Sequence, residues 1–304
     1  MSMVKEIILV RTALAEEQIR YLEECLQDRF HLIQILGEDK DVSEALCRHV
    51  RIIIVHELMQ EELKRYPNLS FVQIYGRGTD KVCVEALKER GICYRCCLGK
   101  LLAESIAEYV LLQILYWERN MSILDDKGHA GMWTWEWRRH FQYRALKQLQ
   151  VGVVGQGQVG CAVKSLLTNL GAKVCYINVG NRMEKNDIDL IGKMDYITLH
   201  LPLNQFTQGV IDIEFFGKMK PEAVFINSSR GKIVCEDHLA KALHQGMIRA
   251  ASLDVTVEEP ILRTSPLCEL NNLIITPHIA GRAQNALMEH ACEIVFNIKE
   301  EVWK

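Results

Sequence analysis

The chain has almost no excess of charge of either sign. Lys and Arg total 36 and Asp and Glu 39, so the formal charge is −3 at pH 7. That excludes the basic footprint a nucleic-acid partner requires. Long apolar runs are missing as well. The longest candidate, 106–117, is interrupted by Glu108 and Gln113 and falls short of the ~18 to 20 residues that cross a bilayer. The N-terminus, Met1-Ser-Met-Val-Lys-Glu6, passes straight into a strand-like Ile7-Ile-Leu-Val10. It lacks the layout of a signal peptide, so a cytoplasmic protein without a membrane partner is expected. No repeat and no low-complexity tract is present. The 11 cysteines are scattered along the chain, and the one cluster, Cys93-x-x-Cys96-Cys97, has no second ligand pair. That layout predicts reduced thiols and no metal site.

What is present is an alternation of strand and helix signals. A length of 304 residues suggests two domains. Strand-like runs at 7–10, 30–36, 50–55, 71–75 and 92–94 are separated by helical patterns at 15–28, 43–49, 60–66 and 84–90. This order predicts a parallel sheet with helices on both faces. A long helix is expected over 101–120. An aromatic, basic stretch follows, with Trp133, Trp135, Trp137 and His140. Those tryptophans need burial, either against a second subunit or on their own domain. The alternation then resumes, with strands at 196–201, 224–226, 250–255 and 273–276, and a C-terminal helix from Ala283 to about Val302.

The most specific local signal is Val151-Gly-Val-Val-Gly155-Gln156-Gly157-Gln158-Val159-Gly160. An apolar run ends in Gly-x-Gly-x-x-Gly, then come a helix-compatible segment and a second apolar run, 172–179. In that context the pattern indicates a dinucleotide site. The first glycine permits a tight turn, the second an approach of backbone to a pyrophosphate, the third close helix–strand packing. The pyrophosphate would rest on the amides at the positive end of the helix.

Three charged or titratable residues follow predicted strands at their C-terminal ends, the edge where open α/β sheets bind ligands. They are Arg230, Glu259 and His278. Arg can grip a carboxylate through two parallel hydrogen bonds. His can transfer a proton near neutral pH, and a carboxylate partner fixes its tautomer. Each alone reads first as a solvated or structural residue. Together they are what reduction of a 2-oxo acid requires.

With these segments in order, the chain resembles the D-isomer-specific 2-hydroxyacid dehydrogenase family. The resemblance rests on Gly76-Arg77-Gly78-Thr-Asp80, on the glycine turn, on His200-Leu201-Pro202-x-x-x-x-Thr207, on Asn227-Ser228-Ser-Arg230-Gly231, and on Asp254 to Glu259-Pro260 followed by Thr276-Pro-His278-Ile-Ala-Gly281. It implies an NAD(P)-dependent oxidoreductase that moves a hydride between cofactor and a small 2-oxo or D-2-hydroxy acid. Arg230 would hold the substrate carboxylate, His278 would be acid or base, and Glu259 would hydrogen-bond His278. The amides of Arg77 and Gly78 would bind the carboxylate. Cofactor contacts would come from Gly155, Gln156, Gly157, Gln158, Val159, Gly160, Asn178, Arg182, Leu201, Pro202, Thr207, Ser228, Asp254, His278 and Gly281. The implied fold is a Rossmann-type coenzyme domain, 99–282, inserted in a flavodoxin-like doubly wound substrate domain, 1–98 and 283–304. A homodimer is implied, through the coenzyme domains and the arm after the long helix.

The chain departs from the family in three places. Asn178 stands where an acidic residue would bind the ribose, and Arg182 follows four residues on. Loss of the repelling carboxylate leans the expectation from NAD towards NADP. Arg77 sits inside the substrate loop, where it either adds a charge for a second anionic group or faces solvent. Cys96-Cys-Leu-Gly99 replaces an Asn-x-Pro-Gly loop. Glyoxylate, hydroxypyruvate and phosphoglycerate-type substrates stay open. So do a dinucleotide-sensing regulator of the corepressor type and a relative acting on formate or phosphite.

Overall fold

The computed structural model describes residues 6–36, 42–76, 78–132, 134–139 and 141–302, with the side chains at 122, 123, 125, 126, 136, 137 and 182 left out. In chain order the elements are β1 (Glu6–Arg11), α1 (Glu16–Leu26), β2 (Phe30–Gln34), α2 (Glu44–Cys47), β3 (Val50–Val55), α3 (Gln60–Leu63), β4 (Phe71–Ile74), α4 (Val84–Glu89), β5 (Cys93–Cys96) and α5 (Lys100–Glu118). There follow α6 (Met121–His129), α7 (Trp135–Arg138), β6 (Gln150–Val154), α8 (Gln158–Asn169), β7 (Lys173–Ile177), α9 (Lys185–Ile191), β8 (Tyr196–Leu199), α10 (Ile213–Lys218), β9 (Val224–Asn227), α11 (Glu236–His244), β10 (Ala250–Leu253), β11 (Leu273–Ile275) and α12 (Gln284–Val302).

The chain divides into two compact units. Unit 1 comprises 1–102 and 283–304, and unit 2 comprises 103–282. Unit 1 holds a five-stranded parallel sheet of order β2-β1-β3-β4-β5. Its inner strands β1, β3 and β4 read as largely apolar runs because both faces are covered, while the edge strands β2 and β5 are partly exposed. Side chains alternate between the two faces. Ile8, Val10, Ile52 and Ile54 join Leu22 and Leu26 of α1 and Ile294 and Ile298 of α12 in one core. Leu9, Ile53, Val55 and Val72 join Leu63 and Leu87 in the other.

Unit 2 holds a six-stranded parallel sheet of order β11-β10-β9-β8-β6-β7. One face packs Val151, Val153, Tyr196 and Ile226 on α5 and α8 through Val110, Ile114, Val163 and Leu167. The other packs Val154, Leu199, Phe225 and Leu253 on α10 and α11 through Phe215, Phe216, Leu239 and Leu243. Both sheets are doubly wound, as the sequence led us to expect. Unit 1 has the 2-1-3-4-5 order of the flavodoxin-like type.

Three helices were not foreseen, among them the four-residue α7 in the aromatic stretch. α6 carries Gly128, a poor helix former. α9, Lys-Asn-Asp-Ile-Asp-Leu-Ile, buries only Asp187 and Ile191, too few positions for a periodic pattern. In the aromatic stretch, Trp133 and His140 lie outside the described residues, while Trp135 is 66 % exposed on α7. No helix among the described residues is long and apolar enough to cross a membrane.

Candidate active site

The strand order of unit 2 reverses at β6: β7 lies on one side and β8 on the other. A crevice outside the carboxyl ends of these strands is the general ligand position in such sheets. The glycine turn stands there. Gly155, directly after β6, has φ +110°, a backbone region that L side chains rarely adopt. At Gly160 a Cβ would lie 2.0 Å from the Gly155 carbonyl oxygen, so α8 can approach the strand only with glycine there. Gly157 is the N-cap of α8 and supplies no side-chain cap. A Cβ built on it meets nothing within 4 Å, so the backbone surface is open. The first amides of the 12-residue α8, from Gln158, Val159 and Gly160, therefore stand at its positive end without intrahelical partners.

These features fit a dinucleotide. The amides can take a pyrophosphate, and the Ser228 hydroxyl, just after β9 and two strands along the sheet from β6, is occluded and has no hydrogen-bond partner. Leu201 and Pro202 follow β8. Thr207 is turned to its own loop: its hydroxyl donates to the Pro202 carbonyl at 2.6 Å and accepts from the Asn204 amide at 2.9 Å. Arg182 ends a single 3-10 turn, 180–182, and its side chain lies outside the described ones.

The three candidate catalytic residues follow three adjacent strands: Arg230 after β9, Glu259 after β10 and His278 after β11. Parallel pairing puts all three at one edge of one sheet. His278 Nδ1 lies 3.3 Å from both carboxylate oxygens of Glu259. The contact leaves Nε2 as the outward nitrogen. Arg230 is half-buried, and its Nη1 donates to the Ser229 carbonyl at 2.8 Å.

His278 has φ +55°, costly for a residue with a Cβ. Asp254 holds it there. The Asp254 carbonyl accepts the His278 amide at 2.9 Å. Its buried carboxylate accepts the amides of Ile279 at 2.9 Å and Ala280 at 2.8 Å, and the Thr276 hydroxyl at 2.5 Å. Because Thr276 spends its proton on Asp254, the Tyr109 hydroxyl must be the donor in the 2.8 Å contact between Tyr109 and Thr276. Burial pushes the Tyr109 phenol up to about 12, so it keeps that proton. The Arg230 loop is braced similarly. Buried Asn227 donates through Nδ2 to the Arg230 carbonyl at 3.1 Å and accepts from the Ser229 amide at 3.0 Å. A Cβ at Gly231 would fall 2.1 Å from the Thr256 carbonyl, so the loop after β9 lies directly on the loop that leads to Glu259.

Tyr109, Thr276, Asn227 and Gly231 were given no role from the sequence. Thr276, Asn227 and Gly231 sit inside recognisable motifs, which was the available signal. Tyr109 lies in a helix with no such marker. His200, next to the turn, is a buried structural group. Its Nε2 is 2.9 Å from the Thr198 hydroxyl, and burial pulls its pKa down to about 3. Of the substrate loop, Gly76 and Gly78 are half-buried and Gly76 has φ +96°, while Arg77 lies outside the described residues. No cluster of metal-ligating side chains occurs among the described residues.

A doubly wound sheet with such a turn at its switch point is the architecture of dinucleotide-dependent oxidoreductases. The family model described as "D-isomer specific 2-hydroxyacid dehydrogenase, NAD binding domain" matches residues 111–280. A glyoxylate reductase of Thermofilum pendens is 30 % identical over 294 residues, covering 90 % of this chain and 85 % of its own length. A D-3-phosphoglycerate dehydrogenase of Mycobacterium leprae is 30 % identical over 293 residues, 92 % of this chain but 54 % of the relative. The chain thus spans about half of that longer protein. Among solved structures, D-lactate dehydrogenase of Aquifex aeolicus, crystallised with NAD and lactic acid, superposes with a TM-score of 0.85 over 98 % of this chain and 96 % of that one, at 24 % identity. The chain belongs to the D-isomer specific 2-hydroxyacid dehydrogenase family and is an NAD(P)-binding oxidoreductase.

Proposed function

We propose that the protein reduces a small 2-oxo acid of the glyoxylate or hydroxypyruvate type to its D-2-hydroxy acid, and runs the reverse oxidation. The observation that carries this reading is the His278–Glu259 pair at 3.3 Å, on the sheet edge that also bears Arg230. The glyoxylate type is placed ahead of phosphoglycerate because the chain spans 85 % of the glyoxylate reductase and 54 % of the phosphoglycerate dehydrogenase. Unit 2 is the coenzyme domain in this reading and unit 1 the substrate domain.

Bound at the glycine turn, the dinucleotide supplies or accepts the hydride. Arg230 grips the substrate carboxylate and polarises the carbonyl. His278 delivers the proton from Nε2 to the carbonyl oxygen, and removes it in the oxidation. Glu259 accepts the Nδ1 proton, which holds the ring and fixes which nitrogen faces outward. The Arg77 and Gly78 amides add to carboxylate binding. Asp254, assigned from the sequence to the cofactor, acts in this reading on the backbone that presents His278.

Steady-state oxidation of NADH and NADPH with glyoxylate, hydroxypyruvate, pyruvate, oxaloacetate and 2-oxoglutarate tests the proposal, with His278→Ala as control. Turnover with glyoxylate or hydroxypyruvate that the control abolishes is expected. Absence of turnover with every acid, at cofactor concentrations shown to saturate binding, would overturn it.

A further inference from the structure

The loop after β7 carries a carboxylate that the sequence pattern did not bring into view. β7 pairs with β6 so that Ile177 stands opposite Val154. Asn178 therefore begins the loop beside the one that Gly155 begins, at the position where an acidic residue meets the ribose in dinucleotide folds. Asp187, in the first turn of α9, is buried behind it. Asp187 Oδ1 accepts the Asn178 backbone amide at 2.9 Å and the Asn178 Nδ2 at 3.4 Å, and Oδ2 accepts the Glu184 amide at 2.9 Å.

We propose that Asp187 is a specificity-determining residue that orients Asn178 and makes the site select NAD over NADP. The inference rests on the reading of the glycine turn as a dinucleotide site. An ionised carboxylate can only accept hydrogen bonds. The Asn178 amide must therefore turn its NH2 inward to Asp187, which leaves the carbonyl oxygen for the exposed side of the residue. A carbonyl oxygen accepts from a ribose 2′-hydroxyl, as a carboxylate in that place would. It has nothing to donate to a 2′-phosphate. Three donors of this loop that could serve a phosphate, the Asn178 NH2 and the Asn178 and Glu184 amides, are already bound to Asp187.

The charge of Asp187 adds to this. Burial works against its ionisation, but the hydrogen bonds from the Asn178 and Glu184 amides and from the Asn178 side chain outweigh it and hold the carboxyl below the usual range. A full negative charge thus stands directly behind Asn178. The lean towards NADP drawn from the sequence counted Asn178 as the loss of a charge. In the folded chain a carboxylate is supplied nine residues later.

Calorimetric titration of the full chain with NAD+ and with NADP+ tests the proposal without any turnover. The wild type is expected to bind NAD+ about ten-fold tighter or more, the scale of one hydrogen bond plus one repulsive charge. Asp187→Asn is expected to bring the two affinities to within about three-fold, mainly by tightening NADP+. Asn178→Ala is expected to weaken NAD+ about ten-fold and leave NADP+ unchanged. Both effects change the ratio, which a merely structural role would not do. Arg182→Ala is expected to leave the ratio as it is. Wild-type affinity equal or higher for NADP+, or equal weakening of both dinucleotides in Asp187→Asn and Asn178→Ala, would overturn the selectivity. Failure to bind either dinucleotide, or ADP-ribose, would overturn the underlying reading of the turn and this inference with it.

Discussion

His278 is placed by two separate acts. Glu259 fixes the direction of its ring, and Asp254 fixes a backbone conformation that a residue with a Cβ adopts only under constraint. The first act predicts the behaviour of Glu259→Gln. An amide keeps a hydrogen bond to Nδ1 but removes the charge that stabilises a doubly protonated ring. We expect kcat with glyoxylate to fall about 10²-fold, less than in His278→Ala, with KM moving much less. An unchanged kcat in steady-state assays would remove Glu259 from this role. The gathering of Arg230, Glu259 and His278 at one sheet edge was readable from the sequence because each follows a strand signal inside a short motif. Asp187 was not, because its partner lies nine positions away across a loop whose helix has no periodic signature.

His200 gives a prediction of the opposite kind, about stability alone. Its pKa is lowered from 6.5 to about 3 in the folded chain by burial. Below pH 6.5 the unfolded chain takes up a proton that the folded one refuses until about pH 3. This contribution to stability is therefore intact above pH 6.5 and is lost progressively as pH falls towards 3. By pH 5 the loss amounts to about 2 kcal/mol. Denaturant unfolding of wild type and His200→Gln at pH 7.5 and pH 5 should show that part of the pH dependence missing in the variant.

At the scale of elements, the loop from Thr276 to Gly281 is ordered by a relay that starts in a helix. Tyr109 of α5 donates to Thr276, Thr276 donates to Asp254, and Asp254 holds the amides of Ile279 and Ala280. Thr276→Val keeps the shape and deletes both hydroxyl contacts, leaving a buried carboxylate short of one donor. A cost of about 1–3 kcal/mol is expected. Hydrogen exchange should report faster exchange at Ile279 and Ala280, with the strands of the sheet unaffected. The inner strands, such as β3, β4, β8 and β9, were the most legible part of the chain, because burial on both faces makes them largely apolar. The relay was not legible, since a tyrosine on an apolar helix looks the same whether it ends in solvent or in a hydroxyl chain.

At the scale of the whole molecule, the outer side of α5 and the segment after it expose much apolar surface. A groove of about 410 Å³ is lined by Leu112, Leu115, Tyr116, Arg119 and Met121. Leu112 is 58 % exposed there, and Met121, Met132, Trp135 and Tyr143 are exposed too. Exposed apolar side chains gathered in a groove along one helix fit an association surface. We propose that a second copy of the chain covers it, as the homodimer implied by the family resemblance requires. Sedimentation or light scattering should find a dimer for the wild type and a monomer for Leu112→Glu. Dimeric Leu112→Glu would place the interface elsewhere.

The interrupted course of unit 1 has a consequence during synthesis. Unit 2 is one continuous stretch, whereas the core of unit 1 is completed only by Ile294, Val295 and Ile298 of α12, and its polar contacts by Leu287 with Gln18 and Asn297 with Gln73. A nascent chain therefore makes the first segment of unit 1 before unit 2 and holds it without its closing helix until unit 2 has been made. Of the two units, the one that begins first is completed last, and in the interval the sheet face that α12 will cover is open to chaperones and proteases.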